Sequence, residues 1–433
     1  MKPMFQPPMG TDAGPQSTGL IRFITAGSVD DGKSTLIGRL LFDSRAILSD
    51  QLLALSSARN KRVSEGEIDL SFLTDGLESE REQGITIDVA YRYFSTARKK
   101  FIIADCPGHE QYTRNMVTGA STADAVIILI DASQVEGDSL LLQTRRHTAL
   151  ANLLGIRHLV VAVNKMDLVD FDQQTFDRIV RAHRDLLSRL EPQATHYIPI
   201  SALKGDNVVT PSDQMAWYRG PTLLSLLESL EQVVHPGSPL RLPIQLVLRW
   251  DGHTRSDQRA YAGRLESGRL EVGETVSLFP SGQSAQVSQI VVAGEVRQQA
   301  FAGQSVLVSL DRDLDLARGD VLVPSDQAPS PRRQLEADLA WLDVHPLSAD
   351  RRYLLRQATR ETLARLEVID RLDLEALGRV DAQVLSVNEI GRVSVRLASP
   401  VLPDEYRLQP STGAFILIDE ASNQTVAAGM IRE

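Results

Sequence analysis

Ile21-Arg-Phe-Ile-Thr-Ala26, an apolar run of strand character, leads without a break into Gly27-Ser28-Val29-Asp30-Asp31-Gly32-Lys33-Ser34-Thr35. Glycines at both ends let such a loop bend tightly enough for several backbone N–H groups to converge, and a helix starting at its end adds a positive pole. Leu36, Leu40 and Leu41 supply the apolar stripe of that helix. Strand, glycine-bounded loop and helix in this order form a cradle for nucleotide phosphates. Lys33 is placed to reach the β and γ phosphates, and the Ser34 hydroxyl to bind Mg²⁺. A chance glycine-rich turn would have neither the buried strand before it nor the amphipathic helix after it.

Outward from this loop, residues 20–235 alternate short apolar strands with amphipathic helical stretches. Strands are expected at Ile21–Ala26, Val89–Ser95, Phe101–Ala104, Ala125–Ile130, His158–Val163 and His196–Ile200. The pattern predicts an α/β domain with a mostly parallel sheet and helices on both faces. Between Asp43 and Gly84 runs a polar segment far longer than an ordinary connection, and its place after the phosphate loop favours a functional role. Pro236-Gly-Ser-Pro239 and Pro243 mark a linker, after which helical periodicity stops. Residues 243–323 show short strands separated by turn residues, and beyond Pro324, Pro329 and Pro331 the same pattern resumes over 332–433. In the last segment the expected strands are Leu335–Val344, Tyr353–Arg356, Ala364–Arg371, Arg379–Val387, Gly391–Leu397 and Phe415–Ile418. Two small antiparallel β-barrels are the simplest account.

The chain has 433 residues, of which 42 % are hydrophobic and 24 % charged, enough for several well-packed domains. Its net charge of −10 disfavours wholesale binding to nucleic acid or anionic membrane, so neither is expected as a partner. The single cysteine, Cys106, excludes an internal disulfide and fits a reducing cytoplasm. Residues 1–19 are rich in proline and glycine, lack the apolar core of a secretion signal, and are expected to form a disordered leader.

Four further elements follow the phosphate loop in chain order. Arg81-Glu-Gln-Gly84-Ile-Thr86-Ile87 places the Thr86 hydroxyl where a loop could fold over the γ phosphate and give Mg²⁺ a second ligand. Asp105-Cys106-Pro107-Gly108-His109 follows an apolar strand. There Asp105 would hold Mg²⁺ through water, and Gly108 would bring a backbone N–H to the γ phosphate. His109 would orient the attacking water, the one step of phosphoryl hydrolysis that needs a side chain at the nucleophile. Asn164-Lys165-Met166-Asp167 reads the base: a carboxylate at Asp167 can accept from guanine N1–H and the 2-amino group, and adenine offers no matching donor pair. Ser201-Ala202-Leu203 would supply a backbone N–H for guanine O6. Each element sits at the end of a predicted strand, where open α/β sheets bind ligands, so the set reads as a GTP- and Mg²⁺-dependent hydrolase.

These five motifs resemble those of the translation-factor GTPases of the elongation factor Tu and elongation factor 1α class, and Gly263-Arg-Leu-Glu-Ser-Gly268 is similar to the turn of their second domain. The resemblance spans residues 20–433 and implies an apolar gate of Val29 and Ile85 beside His109. Asp31 departs from it, since translation factors usually carry histidine there. Further stretches resemble one branch of the class: Thr74-Asp-Gly-Leu, Glu80–Tyr93, Phe101-Ile-Ile-Ala-Asp, His109–Met116, Ser201–Asn207 and Gly413–Asp419. That branch is the family of large, GTP-hydrolysing subunits of two-subunit bacterial sulfate adenylyltransferases. The resemblance implies a heteromeric complex in which a separate small catalytic subunit joins sulfate to the AMP moiety of ATP, giving adenosine 5′-phosphosulfate, while GTP hydrolysis on this chain drives that step. Some relatives carry a fused adenylylsulfate kinase domain, which is not expected before Glu433. The competing reading is an elongation factor that carries aminoacyl-tRNA.

Overall fold

The computed structural model describes residues 19–44, 90–106, 113–135, 137, 140–190, 194–231, 238–249, 259–373 and 378–432. Residues 1–18 of the expected leader, the polar segment from residue 45 onward with Thr86, and Gly108 and His109 lie outside the described residues, while Gly19, expected to close the leader, is instead the first residue of a strand. Two compact units emerge, one holding the nucleotide motifs and the other holding everything after the first linker.

The first unit is built on a six-stranded sheet of β1 (Gly19–Ala26), β2 (Ala90–Ser95), β3 (Lys99–Asp105), β4 (Ala125–Asp131), β5 (His158–Asn164) and β6 (Ala194–Pro199). The order is β2-β3-β1-β4-β5-β6. All neighbours run parallel except β2 and β3, which form an antiparallel hairpin. Parallel strands covered on both faces must be apolar throughout, and β4 is buried at all seven positions. Helix α1 (Lys33–Asp43) packs Leu36, Ile37 and Leu40 against Ile21 and Phe23 of β1 and Phe101 and Ile103 of β3. Phe94 and Phe101 stack at 4.6 Å between ring centroids, with Phe23 edge-on to both. Burying a side chain of this kind is worth roughly 1.5–3 kcal/mol each, so the aromatic trio anchors the hairpin edge of the sheet.

The second unit is all β apart from a short helical turn at Pro410–Gly413. Its first barrel uses β7 (Leu242–Arg249), β8 (Arg259–Arg264), β9 (Arg269–Glu271), β10 (Thr275–Phe279), β11 (Ser284–Val292), β12 (Glu295–Arg297), β13 (Gln299–Phe301), β14 (Ser305–Leu310) and β15 (Val321–Pro324). The ring β10-β15-β7-β8-β14-β11 closes because β11 also pairs with β10, making a six-stranded antiparallel barrel. The second barrel follows with β16 (Arg332–Trp341), β17 (Tyr353–Gln357), β18 (Arg360–Leu372), β19 (Arg379–Asp381), β20 (Ile390–Val401), β21 (Ala414–Asp419) and β22 (Thr425–Ile431). Here the ring β17-β21-β22-β16-β20-β18 closes through β17 and β18. The expected strand at Arg379–Val387 is a strand only at Arg379–Asp381; Leu385 is fully buried from a loop, so its apolarity reports core packing and not a ladder. Strand β22, Thr-Val-Ala-Ala-Gly-Met-Ile, was not foreseen, because alanine and glycine carry little strand propensity. It nevertheless lies between β21 and β16.

The barrels meet through a bidentate pair: Arg241 Nε and Nη2 each donate to Asp404 at 2.8 Å, and the Thr412 hydroxyl donates to the same carboxylate at 2.6 Å. Arg360 donates to the Pro400 carbonyl at 2.7 Å and faces Asp320 at 3.6 Å. Phe279, Val321, Val323 and Leu402 form an apolar cluster beside these polar contacts.

Candidate nucleotide-binding site

Parallel β1, β3, β4 and β5 end, in that sense of the chain, on Ala26, Asp105, Asp131 and Asn164, and β6 leads into Ser201. Four of the five expected motifs, those beginning at Gly27, Asp105, Asn164 and Ser201, therefore start from one end of the sheet, and the fifth, Gly84-Ile-Thr86, lies outside the described residues. Loop 27–32 turns into α1 at Gly32, whose φ of 91° lies in the left-handed region. A β-carbon there would stand 2.5 Å from Asn164 Nδ2, so both the backbone and the space require glycine. Asp30 adopts a positive φ as well, which aspartate tolerates better than most residues.

Lys33 lies in the first turn of α1 with its ammonium folded back under the loop, donating to the Ser28 carbonyl at 2.6 Å and the Gly27 carbonyl at 3.2 Å. Burial pulls its pKa below the ordinary lysine value, and the carboxylates of Asp31 and Asp105 pull it back up. Two of its three N–H bonds serve the loop, which leaves one donor for a phosphate oxygen. The Asp31 carboxylate accepts from Ser28 N–H, and burial pushes its pKa up to about 6 despite Lys33 nearby. An anionic acceptor thus already engages a loop N–H, which is the chemistry that a phosphate group asks of this cradle. Ser34 and Thr35 follow in the first turn of the helix, half-buried.

Asp105 is buried at the end of β3 and accepts from the Thr25 hydroxyl of β1 at 3.1 Å, which orients it along the strand ends. Mg²⁺ usually takes one or two protein oxygens together with phosphates and waters, and the Ser34 hydroxyl with a water-bridged Asp105 is a donor set of that kind. Cys106 is fully buried, and burial pushes its thiol pKa up, so it is held protonated and unreactive.

Asn164 ties the site together. Its Nδ2 donates to the Asp31 carbonyl at 2.7 Å, and its Oδ1 accepts from Ala202 N–H at 2.9 Å. One side chain thereby joins the phosphate loop, the Asn164–Asp167 loop and the Ser201–Leu203 loop. Lys165, at φ 60°, places its ammonium 2.7 Å from Asp131 at the end of β4. Asp131 also caps the following turn by accepting from Ser133 N–H at 2.9 Å. Asp167 stands half-buried in the first turn of the short 3₁₀ helix Met166–Val169. Arg39 of α1 donates to the Ala202 carbonyl at 3.3 Å and also to the Leu203 carbonyl, clamping the last loop to the helix. Sequence reasoning missed Asp131, Thr25 and Arg39. Asp131 alone had a readable signal, a polar residue closing an apolar strand just as Asp105 and Asn164 do.

A glycine-bounded cradle with a buried lysine, linked to two loops at the ends of β5 and β6, defines a purine-nucleotide-binding protein of the phosphate-loop class. The Elongation factor Tu GTP binding domain family matches residues 18–236, and the GTP-eEF1A C-terminal domain-like family matches residues 334–432. Sulfate adenylyltransferase subunit 1 of Aeromonas hydrophila is 50 % identical over 421 residues, covering 96 % of this chain and 87 % of that protein. Its counterpart in Aeromonas salmonicida is also 50 % identical, covering 96 % and 88 %. A solved structure of sup35 complexed with GDP is similar over 96 % of this chain and 94 % of its own, at 24 % identity and a TM-score of 0.42. The chain belongs to the sulfate adenylyltransferase subunit 1 family, within the elongation factor Tu class of GTP-binding proteins.

Proposed function

We propose that this chain is the GTP-hydrolysing subunit of a sulfate adenylyltransferase, using GTP and Mg²⁺, and that hydrolysis drives formation of adenosine 5′-phosphosulfate from ATP and sulfate on a separate small catalytic subunit. The observation that carries the reading is 50 % identity across nearly the whole chain to proteins named as subunit 1 of that enzyme. The same identity speaks against the alternative of an elongation factor carrying aminoacyl-tRNA. The word subunit implies a partner chain, and the small catalytic subunit is the partner we assign. No helix among the described residues is long and apolar enough to cross a membrane, and we assign the complex to the cytoplasm.

In this reading Gly27, Ser28, Val29, Asp30, Asp31, Gly32, Lys33, Ser34 and Thr35 cradle the phosphates, and Gly108 adds a backbone N–H at the γ phosphate. Asn164, Lys165 and Asp167, with Ser201, Ala202 and Leu203, select guanine. Ser34 and Thr86 would hold Mg²⁺ directly and Asp105 would hold it through water, and the bound metal would supply charge neutralisation for the phosphates. Lys33 neutralises charge on the group in flight, Thr86 closes over it, and His109 holds water in line for attack. Asn164 keeps the base-reading loops fixed relative to the phosphate loop, so that base selection and phosphate placement act on one bound nucleotide.

The test is the GTP hydrolysis rate of the purified chain with and without the small subunit, ATP and sulfate. A rise that requires all three is expected; a rate indifferent to them would refute the coupling.

A further inference from the structure

Strand β2 is the terminal strand of the six-stranded sheet: it pairs with β3 alone, so its other edge has no strand partner among the described residues. Its residues alternate. Phe94 points into the core, while Tyr91 and Tyr93 on the opposite face are 46 % and 68 % exposed. A large aromatic exposed once needs no explanation, but two at i and i+2 on an open strand edge make a continuous apolar strip of the sort that proteins normally cover or blunt. The register places Ser95 opposite Lys100 and Tyr93 opposite Ile102, so Lys100 lies next to the strip on the same face.

The charge around the strip is mainly basic. The hairpin carries Arg92, Arg98, Lys99 and Lys100, in a chain whose net charge is −10, and its one carboxylate, Asp105, is buried at the far end of β3. Lys100 is exposed and makes no ion pair among the described residues, and Arg98, 76 % exposed, reaches only Glu228 at 3.4 Å. A basic, aromatic strand edge with no second strand neighbour among the described residues is complementary to an extended acidic segment, which could add a strand through backbone hydrogen bonds while the tyrosines take its alternate side chains.

We propose that the β2–β3 hairpin is a docking edge for an acidic, extended segment of the partner subunit. This rests on the reading of the chain as one subunit of a heteromeric enzyme. Strand β3 ends on Asp105, whose side chain shares a hydrogen bond with Thr25 beside the phosphate loop, so a partner seated on this hairpin grips the sheet one strand away from the nucleotide site.

Binding of the small subunit to Tyr93→Ser, Lys100→Glu and the control Leu246→Ser, an exposed position of the first barrel, tests this by titration at two salt concentrations, with melting curves to verify folding. We expect both hairpin variants to bind at least tenfold more weakly, Lys100→Glu to lose part of the salt dependence, and the control to match the unaltered chain. Equal affinity for all four proteins would overturn the docking edge while leaving the subunit reading intact. Failure of the unaltered chain to bind the small subunit would overturn the subunit reading itself. Hairpin variants that keep the small subunit but lose RNA binding would overturn the proposal in favour of a nucleic-acid surface.

Discussion

Asp31 is a carboxylate held inside the phosphate loop, 2 % exposed, with a folded pKa of about 6 against an ordinary 3.8. Burial is the first cause, only partly offset by Lys33. Below the lower value both folded and unfolded states keep the proton and nothing is lost; as pH rises towards 6 the unfolded chain releases it first, and stability falls. Above that pH the penalty is constant, about 3 kcal/mol for a shift of roughly two units. Asp31→Asn keeps the acceptor for Ser28 N–H and removes the charge. Nucleotide-free Asn variant is therefore expected to melt higher than the unaltered protein at pH 8, with the gap closing as pH drops to 4; superimposable pH profiles would contradict the assignment. His109, outside the described residues, carries the proposed water-orienting role. His109→Ala should slow hydrolysis about 100-fold or more with GTP affinity retained, the range typical of a lost acid–base or positioning group; parallel loss of affinity would assign it to binding instead.

At the scale of elements, the loops at the ends of β1, β5 and β6 are joined through Asn164 and clamped by Arg39. Asn164→Ala leaves the Asp31 carbonyl and the Ala202 N–H without this partner in a buried place, at a cost of about 1–3 kcal/mol. Because the same bonds align the loops proposed to read the base and to cradle the phosphates, guanine nucleotide affinity should fall together with the melting temperature, as calorimetry would show; an unchanged affinity would mean that the loops hold their places unaided. The strand, loop and helix at 21–43 were legible because each signals by local chemistry: apolar run, glycines at both ends, leucine stripe. So were β3, β4 and β5, whose ends carry the polar residues. What could not be read depended on distant contacts. Asn164 shows itself in sequence as part of a base-reading motif, but its bond to Asp31, 133 positions away, exists only after folding. Strand β22 is weak in propensity and is imposed by its neighbours β21 and β16, whereas the apolar stretch ending in Val387 folds largely as loop.

On the scale of the molecule, the two barrels form one compact unit whose joint combines a buried ion pair with a small apolar cluster. Arg241, 5 % exposed, is matched by Asp404 in two parallel hydrogen bonds. Removing one partner from such a pair strands the other charge and costs about 3–5 kcal/mol. Arg241→Ala should therefore loosen the barrels from each other in thermal unfolding, and the double variant with Asp404→Ala should cost less than the two single changes summed; full additivity would show the pair to be incidental. The same scale holds the functional claim, that the nucleotide site releases energy for chemistry carried out on another chain. Its most direct measure is the amount of adenosine 5′-phosphosulfate accumulated by the reconstituted two-subunit enzyme from ATP and sulfate, with GTP or with a non-hydrolysable analogue. The account predicts initial accumulation well above the analogue level with GTP, lowered towards that level by His109→Ala in this chain. Equal accumulation with GTP and the analogue would contradict it.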